Sequence, residues 1–155
     1  MVRTAEACHP HGMTTSLAAA FGQAVATKDT ATLSALLHPE IDFRGMTPGR
    51  VWEADGPDDV LAAIGTWYED DDVIEGVEWI RTDAFADREH VGYRLRVRNK
   101  DGLHLVEQQA YITERDGRIG WMRIICAGYR PVTEDLESDP SRTPRLRAPA
   151  GTPSS

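Results

Sequence analysis

The side chain best suited to chemistry in this sequence is the carboxyl group of Glu107, because it lies in an apolar stretch of chain. It directly follows Leu105 and Val106, in a segment with the alternation of a strand. A carboxyl group removed from water favours its neutral form, which can transfer a proton. We therefore predict that Glu107 is a catalytic acid. The alternative is that it pairs with an arginine or with Gln109 and only orients the sheet.

Polar groups on the same and the preceding strand could complete a site around this acid. Tyr93 lies on the preceding strand, and Gln109 and Tyr111 follow Glu107 at strand spacing. A few polar groups in an apolar cavity are the usual composition of a small-molecule site. We predict Tyr93 as a second catalytic residue and Gln109 and Tyr111 as substrate-binding residues, although each of these types is also common as a satisfied core group.

Histidine and cysteine residues carry weaker signals. His38 falls at the predicted end of a helix, where a histidine usually interacts with the helix dipole rather than acting as a base. Cys8, His9 and His11 are metal-ligand types, but three donors near the N-terminus do not make a closed site. We predict no metal and no other cofactor. Cys126 has no histidine near it in sequence, so we expect it to behave as a small apolar residue.

The elements that must position these residues are three helical segments followed by a strand meander. The third helix has the clearest start, Gly56-Pro57-Asp58-Asp59, with proline at the first position and acids near the positive end of the dipole. The strand segments run from about residue 77 to 129, and turn residues separate them at 86–87, 99–102 and 116–117. This pattern predicts an α+β fold with a pocket between the sheet and the helices.

The predicted strands are apolar on more faces than the helices can cover. Residues 91–97 alternate cleanly, with apolar side chains on one face and arginines on the other, but in 105–112 neither face is plainly exposed to solvent. A sheet with two apolar faces needs a cover on each. We therefore predict a homodimer through the outer sheet face. The residues expected there are Val106, Ala110, Ile112, Trp121 and Ile125.

Length and composition exclude several classes of protein. A chain of 155 residues with 41% hydrophobic content makes one domain, which we place at 13–130. We predict that 1–12 is a flexible tail and that the proline-rich stretch 131–155 is disordered. The net charge of −8 argues against a nucleic-acid partner. No apolar run approaches a membrane span or a secretory signal, so we predict a cytoplasmic protein with no membrane partner.

The order of these elements, with Leu36-Leu37-His38-Pro39-Glu40-Ile41-Asp42-Phe43 after the second helix and Asp116-Gly117-Arg118-Ile119 before the last strand, resembles the nuclear transport factor 2-like superfamily. More narrowly, it is similar to the SnoaL-like branch, which includes ketosteroid isomerases and polyketide cyclases. The resemblance covers about residues 13–130. It implies a cone-shaped fold in which three N-terminal helices pack on a curved antiparallel sheet, a pocket between these layers, and dimers that pack through the outer sheet face.

The ketosteroid isomerase pattern mostly fails on this sequence. The resemblance places the general base at Gly45, which has no side chain, and the oxyanion-hole tyrosine at Phe21, which has no hydrogen-bond donor. The acid of the oxyanion hole has a counterpart in Glu107. The resemblance also implies that the pocket side carries Tyr93, Glu107, Gln109, Tyr111, Met122 and Cys126, and we add Phe21 and Trp67 as pocket wall.

Two functions from different classes follow from this sequence. One is a pocket protein that performs acid–base cyclisation, isomerisation or epoxide opening on a hydrophobic polyketide-, terpenoid- or steroid-like metabolite, with Glu107 as its proton-transfer group. The other is a non-catalytic binding or assembly module with the same fold. The missing base at Gly45 and the missing donor at Phe21 favour the module, whereas Glu107 beside two tyrosines favours an enzyme.

Overall fold

A computed structural model describes residues 16–132. The predicted tail at 1–12 and all but the first two residues of the predicted tail at 131–155 lie outside these residues. The described part contains three helices and six strands. They are α1 (Leu17–Ala26), α2 (Thr30–Leu36), β1 (Leu37–Thr47), β2 (Arg50–Ala54), α3 (Pro57–Trp67), β3 (Val73–Phe85), β4 (Arg88–Asn99), β5 (Gly102–Arg115) and β6 (Arg118–Pro131). The α+β class is therefore confirmed, and the folded part extends to Val132, whose N–H donates to the Leu103 carbonyl at 3.0 Å.

Local chemistry accounts for the starts of the helices. The Ser16 hydroxyl accepts the N–H of Ala19 and caps α1, and the Asp29 carboxylate accepts the N–H of Thr32 and caps α2. Helix α3 begins as the sequence predicts, with Gly56 as its cap and Pro57 at its first position. Strand β1 follows α2 without a loop.

The six strands form one open sheet in the order β2-β1-β6-β5-β4-β3. Neighbouring strands are antiparallel except β1 and β6, which run parallel. The prediction of an antiparallel sheet is therefore wrong for one pair. The first strand, β1, lies beside the last strand, β6, and runs in the same direction. Since β1 and β2 precede α3 in the chain, the helices also do not all precede the strands. Register shifts that place extra residues in β3 and β6 curve the sheet.

All three helices pack on one side of the sheet, which we call the inner face. Helix α1 contacts β3, β4 and β5, helix α3 contacts β1 and β2, and α2 joins the two helices. The core lies between these layers. Its strand residues include Phe43 on β1, Tyr93 and Leu95 on β4, and Met122 on β6, each at most 1% exposed. The opposite side of the sheet is the outer face.

The inner face of β5 is the reverse of the predicted one. Tyr93 is paired with Gln108 and Arg94 with Glu107, so Gln108 shares the inner face with Tyr93 while Glu107 shares the outer face with the arginines. The predicted pocket positions of Glu107, Gln109 and Tyr111 are therefore wrong. Strand side chains alternate with a period of two, so an error of one residue moves the whole set to the other face.

The predicted dimer face changes for the same reason. The residues that β5 was expected to contribute, Val106, Ala110 and Ile112, are fully buried in the core. Trp121 and Ile125 of β6 do lie on the outer face, because they are paired with Thr113 and Gln109. The outer face thus retains only the β6 part of the predicted set.

Candidate functional site

A cluster of buried and half-buried polar side chains lies between the inner face and the helices. We call it the interior cluster and define it as Tyr68, Tyr93, Gln108, Cys126 and Tyr129. The hydroxyl group of Tyr93 donates to Oε1 of Gln108 at 2.6 Å, and the two residues are 0% and 1% exposed. Cys126 is the cross-strand partner of Gln108 and carries a buried free thiol. A polar network in such an apolar core requires an explanation.

Tyr68 connects this cluster to helix α3, which ends at the preceding residue. Burial raises the pKa of Tyr68 well above its usual value, and the nearby Tyr93, Cys126 and Tyr129 raise it further. Burial also raises the pKa of Tyr93. Both hydroxyl groups are therefore neutral at physiological pH and remain proton donors.

Three buried polar atoms in this region have no hydrogen-bond partner. They are Nε1 of Trp67, the hydroxyl of Tyr68 and Nε2 of Gln108, and the indole and amide nitrogens are donors without acceptor capacity. An unpaired buried polar group costs about 1–3 kcal/mol. The fold therefore retains several unsatisfied donors on the side of the sheet that the helices cover.

The indole ring of Trp67 occupies the space in front of Gly45. A Cβ atom at Gly45 would lie 2.9 Å from Cη2 of Trp67 and 3.2 Å from Cγ2 of Ile124. The ring is also fixed by Phe43 and Trp52, whose ring centroids lie 6.2 and 6.0 Å away. The position to which the resemblance assigns a general base is thus filled by an aromatic ring, and a carboxylate there would collide with it.

The buried carboxylate among residues 16–132 belongs to Asp72, which is 8% exposed. Its Oδ2 accepts the hydroxyl of Tyr129 at 3.0 Å and the N–H of Glu69 at 3.0 Å. Tyr129 also contacts the carbonyl of Trp67 at 2.9 Å, and its ring lies 6.5 Å from that of Tyr68. The three acids whose direction the sequence left open, Glu40, Asp42 and Glu53, are all exposed.

A cavity of about 180 Å³ lies between the three helices and reaches the interior cluster at Tyr68. Its apolar lining comes from Val25, Leu33, Leu61 and Ile64, and its polar lining includes Lys28 and Asp70. This cavity is smaller than the range of about 300–1,000 Å³ that is usual for ligand pockets. Tyr68 thus belongs both to the lining of this small outer cavity and to the interior cluster.

Glu107 lies on the outer face within a chain of polar contacts. Its carboxylate pairs with Arg94 at 3.0 Å and accepts the Nε2 of Gln109 at 3.3 Å. The Nε2–H of His90 donates to Oε1 of Gln109 at 2.6 Å. The Gln109 amide lies over Gly92, where a Cβ atom would come within 2.5 Å of it. Glu107 therefore pairs with an arginine and with Gln109, as in the alternative prediction that it only orients the sheet.

A shallow apolar groove of about 340 Å³ also lies on the outer face. Four of its lining residues are large apolar side chains that are 41–59% exposed. They are Met46, Val51, Tyr111 and Ile125. The charged residues of the lining are Arg44 and Arg123, which pair with Glu53 and Asp42. Tyr111, predicted as a pocket residue, therefore belongs to a different surface from Tyr93.

The other predicted site residues lie on the inner side of the sheet. Phe21 and Met122 are fully buried, and Trp67 and Cys126 are 8% exposed. The sequence reasoning missed Tyr68, Gln108 and Tyr129 in the interior cluster, and Asp72 beside it. A signal for Gln108 was present, because the two-residue turn Lys100-Asp101 fixes which residues face each other across β4 and β5. Asp72 gave no such signal, because it lies in a run of four acidic residues, a pattern typical of a solvent-exposed turn.

The part of the chain that the structure describes contains neither a metal-binding cluster nor a membrane-spanning helix. No group of three or more His, Cys, Asp or Glu side chains there is placed to hold a metal ion, and the candidates Cys8, His9 and His11 lie outside it. Within the same range, no helix is long and apolar enough to cross a membrane.

Solved structures with the same arrangement of elements identify the fold. A provisionally assigned isomerase from Rhodopseudomonas palustris aligns with a TM-score of 0.57 and 17% sequence identity. The alignment covers 73% of this chain and 90% of the isomerase chain. A provisionally assigned polyketide cyclase from Sinorhizobium meliloti has a TM-score of 0.51 and 19% identity over 70% and 92%. This chain has the nuclear transport factor 2-like fold. The resemblance seen in the sequence is confirmed at the level of the fold.

An LEH-like epoxide hydrolase from M. tuberculosis is similar in the same way, with a TM-score of 0.52 and 16% identity over 69% of this chain and 77% of its own. No protein-family model matches the sequence. No curated protein matches it either. At these identities, the nuclear transport factor 2-like fold is what the structures share, and the chemistry depends on the residues of each site.

Proposed function

We propose that this protein binds a hydrophobic small molecule of polyketide, terpenoid or steroid type between the inner face of its sheet and its helices, in the cone-shaped pocket that the family resemblance implies. The observation that supports this proposal is the set of unpartnered buried donors on Trp67, Tyr68 and Gln108. Buried polar groups are almost always paired in native proteins, and a bound ligand can supply the missing partners. The surrounding core side chains are apolar and suit a hydrophobic ligand.

The donor character of the unpaired groups defines the polar part of the ligand. The indole N–H of Trp67 and the amide N–H of Gln108 can only donate, and the neutral hydroxyl of Tyr68 can also donate. A ligand that satisfies them must present acceptor oxygens, such as a ketone, a quinone or an epoxide. A hydrocarbon would leave each donor unpaired, so we expect oxygenated ligands to bind more tightly than their oxygen-free analogues.

Acid–base turnover of the bound molecule is a second candidate function, favoured by the contact between Asp72 and Tyr129. This pair places a buried carboxylate beside the interior cluster. Proton transfer needs such a group within hydrogen-bond reach of the reacting atom. In this proposal Tyr93, predicted from the sequence as a second catalytic residue, is an interior proton donor. Glu107, the acid that the sequence suggested, lies on the outer face and has no part in the proposed machinery.

A matched pair of ligands tests the binding proposal directly. We expect the bicyclic ketone 1-tetralone to bind about ten-fold more tightly than the hydrocarbon tetralin, because one satisfied donor contributes about 1–2 kcal/mol. Binding is measured by the change in tryptophan fluorescence, since Trp67 is part of the site, and by calorimetry. Equal affinities for the two molecules, or the absence of binding by both, would contradict the proposal.

The adjacent glutamines provide a matched control for this experiment. Gln108→Leu removes an interior donor and should reduce the preference for the ketone, whereas Gln109→Leu changes the outer face and should leave that preference intact. Because Gln108→Leu also leaves the Tyr93 hydroxyl unpaired, its fold is checked by circular dichroism. Tyr68→Phe removes an unpartnered hydroxyl without breaking a hydrogen bond and should weaken ketone binding alone.

We also propose that two copies of the chain associate through the outer face. Ion pairs on this face join five arginines with five carboxylates, so the net charge of these groups is zero. The whole chain has a net charge of −8. Two like-charged copies repel least through a balanced surface, and the apolar groove there provides contact area. Sedimentation should give twice 17.2 kDa, and Ile125→Asp should reduce this to the monomer mass. A monomeric parent protein at micromolar concentration would refute the assignment.

A further inference from the structure

The outer cavity and the interior cluster share one side chain, Tyr68, which lies at the start of a short turn. Tyr68 lines the cavity of about 180 Å³, and its ring centroid also lies 6.5 Å from that of Tyr129 in the interior cluster. A ligand of polyketide or steroid size needs a pocket of about 300 Å³ or more. Movement of Tyr68 away from the interior cluster would join the cavity to that cluster and enlarge it.

The turn that carries Tyr68 is held by side chains from two other elements. Nζ of Lys28, just after α1, donates to the carbonyl of Glu69 at 2.7 Å and to that of Asp72 at 2.5 Å. From β6, the Tyr129 hydroxyl contacts the Asp72 carboxylate. Within the turn, the N–H of Asp72 donates to the Glu69 carbonyl at 3.0 Å. Lys28 therefore closes the gap between the helical layer and this turn.

We propose that residues 68–72 form a gate to the interior site and that Lys28 is its latch. This inference rests on the proposed binding function, whose site the gate would control. The turn carries four consecutive acids, Glu69 to Asp72, and the ammonium group of Lys28 is the positive charge bound to its backbone. When the two hydrogen bonds from Lys28 break, its positive charge no longer offsets the four carboxylates. Their mutual repulsion then favours a turn that has moved away from the helices.

The thiol of Cys126 reports the opening of this gate without any ligand. It is buried beside Gln108 in the interior cluster, so we expect a small uncharged reagent such as N-ethylmaleimide to reach it faster when Tyr68 and its turn move away. Cys8 is replaced by serine so that a single thiol reacts. In this background, we expect Lys28→Met to raise the labelling rate on the order of ten-fold, because it removes two charge-assisted hydrogen bonds and keeps the aliphatic stem.

The second lysine of the chain provides the control. Lys100→Met makes the same change in the hairpin between β4 and β5 and should leave the rate unchanged. A local opening is also insensitive to low concentrations of urea, whereas global unfolding accelerates with urea. Equal rates in the two methionine variants, or a rate for Lys28→Met that follows global unfolding, would overturn the gate. If Lys28→Met does not fold, Lys28→Gln removes the same charge and is judged by the same outcomes.

These measurements separate the gate from the proposed binding function. If the latch variants open the gate but tetralone does not bind, the binding proposal fails and the gate stands. If tetralone binds equally fast to the parent protein and to the latch variant, and Cys126 reacts at equal rates, the site exists but Lys28 does not control it.

Discussion

Replacing Gly45 with alanine tests whether the Trp67 ring occupies the space of the family's general base. The new Cβ would meet Cη2 of Trp67 at 2.9 Å and Cγ2 of Ile124 at 3.2 Å, compared with about 3.5–4.0 Å for a normal carbon–carbon contact. Phe43 and Trp52 flank the ring, so it cannot recede without disturbing them. Overpacking of this kind costs about 1–3 kcal/mol.

We therefore expect Gly45→Ala to lower the melting temperature by about 2–12 °C, using about 2–4 °C per kcal/mol for a chain of this size. Trp67→Leu should make the alanine tolerable, so the double mutant should show a coupling free energy of about 1 kcal/mol or more. Gly65→Ala is the control, because no atom lies within 4 Å of its added Cβ and alanine favours the helix. An unchanged melting temperature for Gly45→Ala, together with additive effects in the double mutant, would refute the reasoning.

Two further predictions concern Glu107 and the buried tyrosines. Glu107→Gln should change the free energy of unfolding by at most about 1 kcal/mol, the usual contribution of a partly exposed ion pair, and should not alter tetralone affinity; a loss of binding in calorimetry would return Glu107 to the site. Because the pKa values of Tyr68 and Tyr93 are raised in the folded state, the unfolded chain loses their protons first as the pH passes 10. Each should then reduce stability by about 1.4 kcal/mol per pH unit. Urea unfolding between pH 9 and 11 measures this slope, which should become shallower in Tyr68→Phe, and an identical slope in that variant would contradict the assignment.

The sequence predicted the elements and the fold better than it predicted the site. Helix caps, hairpin turns and the periodicity of residues 91–97 are local signals, and they placed the helices, the long strands and Tyr93 correctly. The parallel pairing of β1 with β6 is non-local, so the pattern contained no signal for it. In β5 both faces carry polar and apolar residues, and hydrophobicity alone could not select the inner one.

The register of β5 was nevertheless fixed in the sequence by its turn. Asn99 and Gly102 flank a two-residue loop and face each other, so each step back along β4 corresponds to one step forward along β5, and Tyr93 must face Gln108. The resemblance to ketosteroid isomerases led to the opposite assignment of the two faces of β5, because it placed the acid at position 107 on the inner face. The unpartnered donors and the packing of Trp67 against Gly45 depend on side-chain positions that no sequence pattern specifies.

The same two-residue loop determines how this protein could change its chemistry during evolution. One residue inserted between Asn99 and Gly102 would shift the register of β5 by one and exchange its two faces. Glu107 and Gln109 would then point toward the helices, while Gln108 would turn outward. An interior lined with donors could thus acquire a carboxylate through an insertion in a surface loop, with no substitution in the strand. In this fold, the lengths of hairpin loops are therefore as informative about function as the residues of the pocket itself.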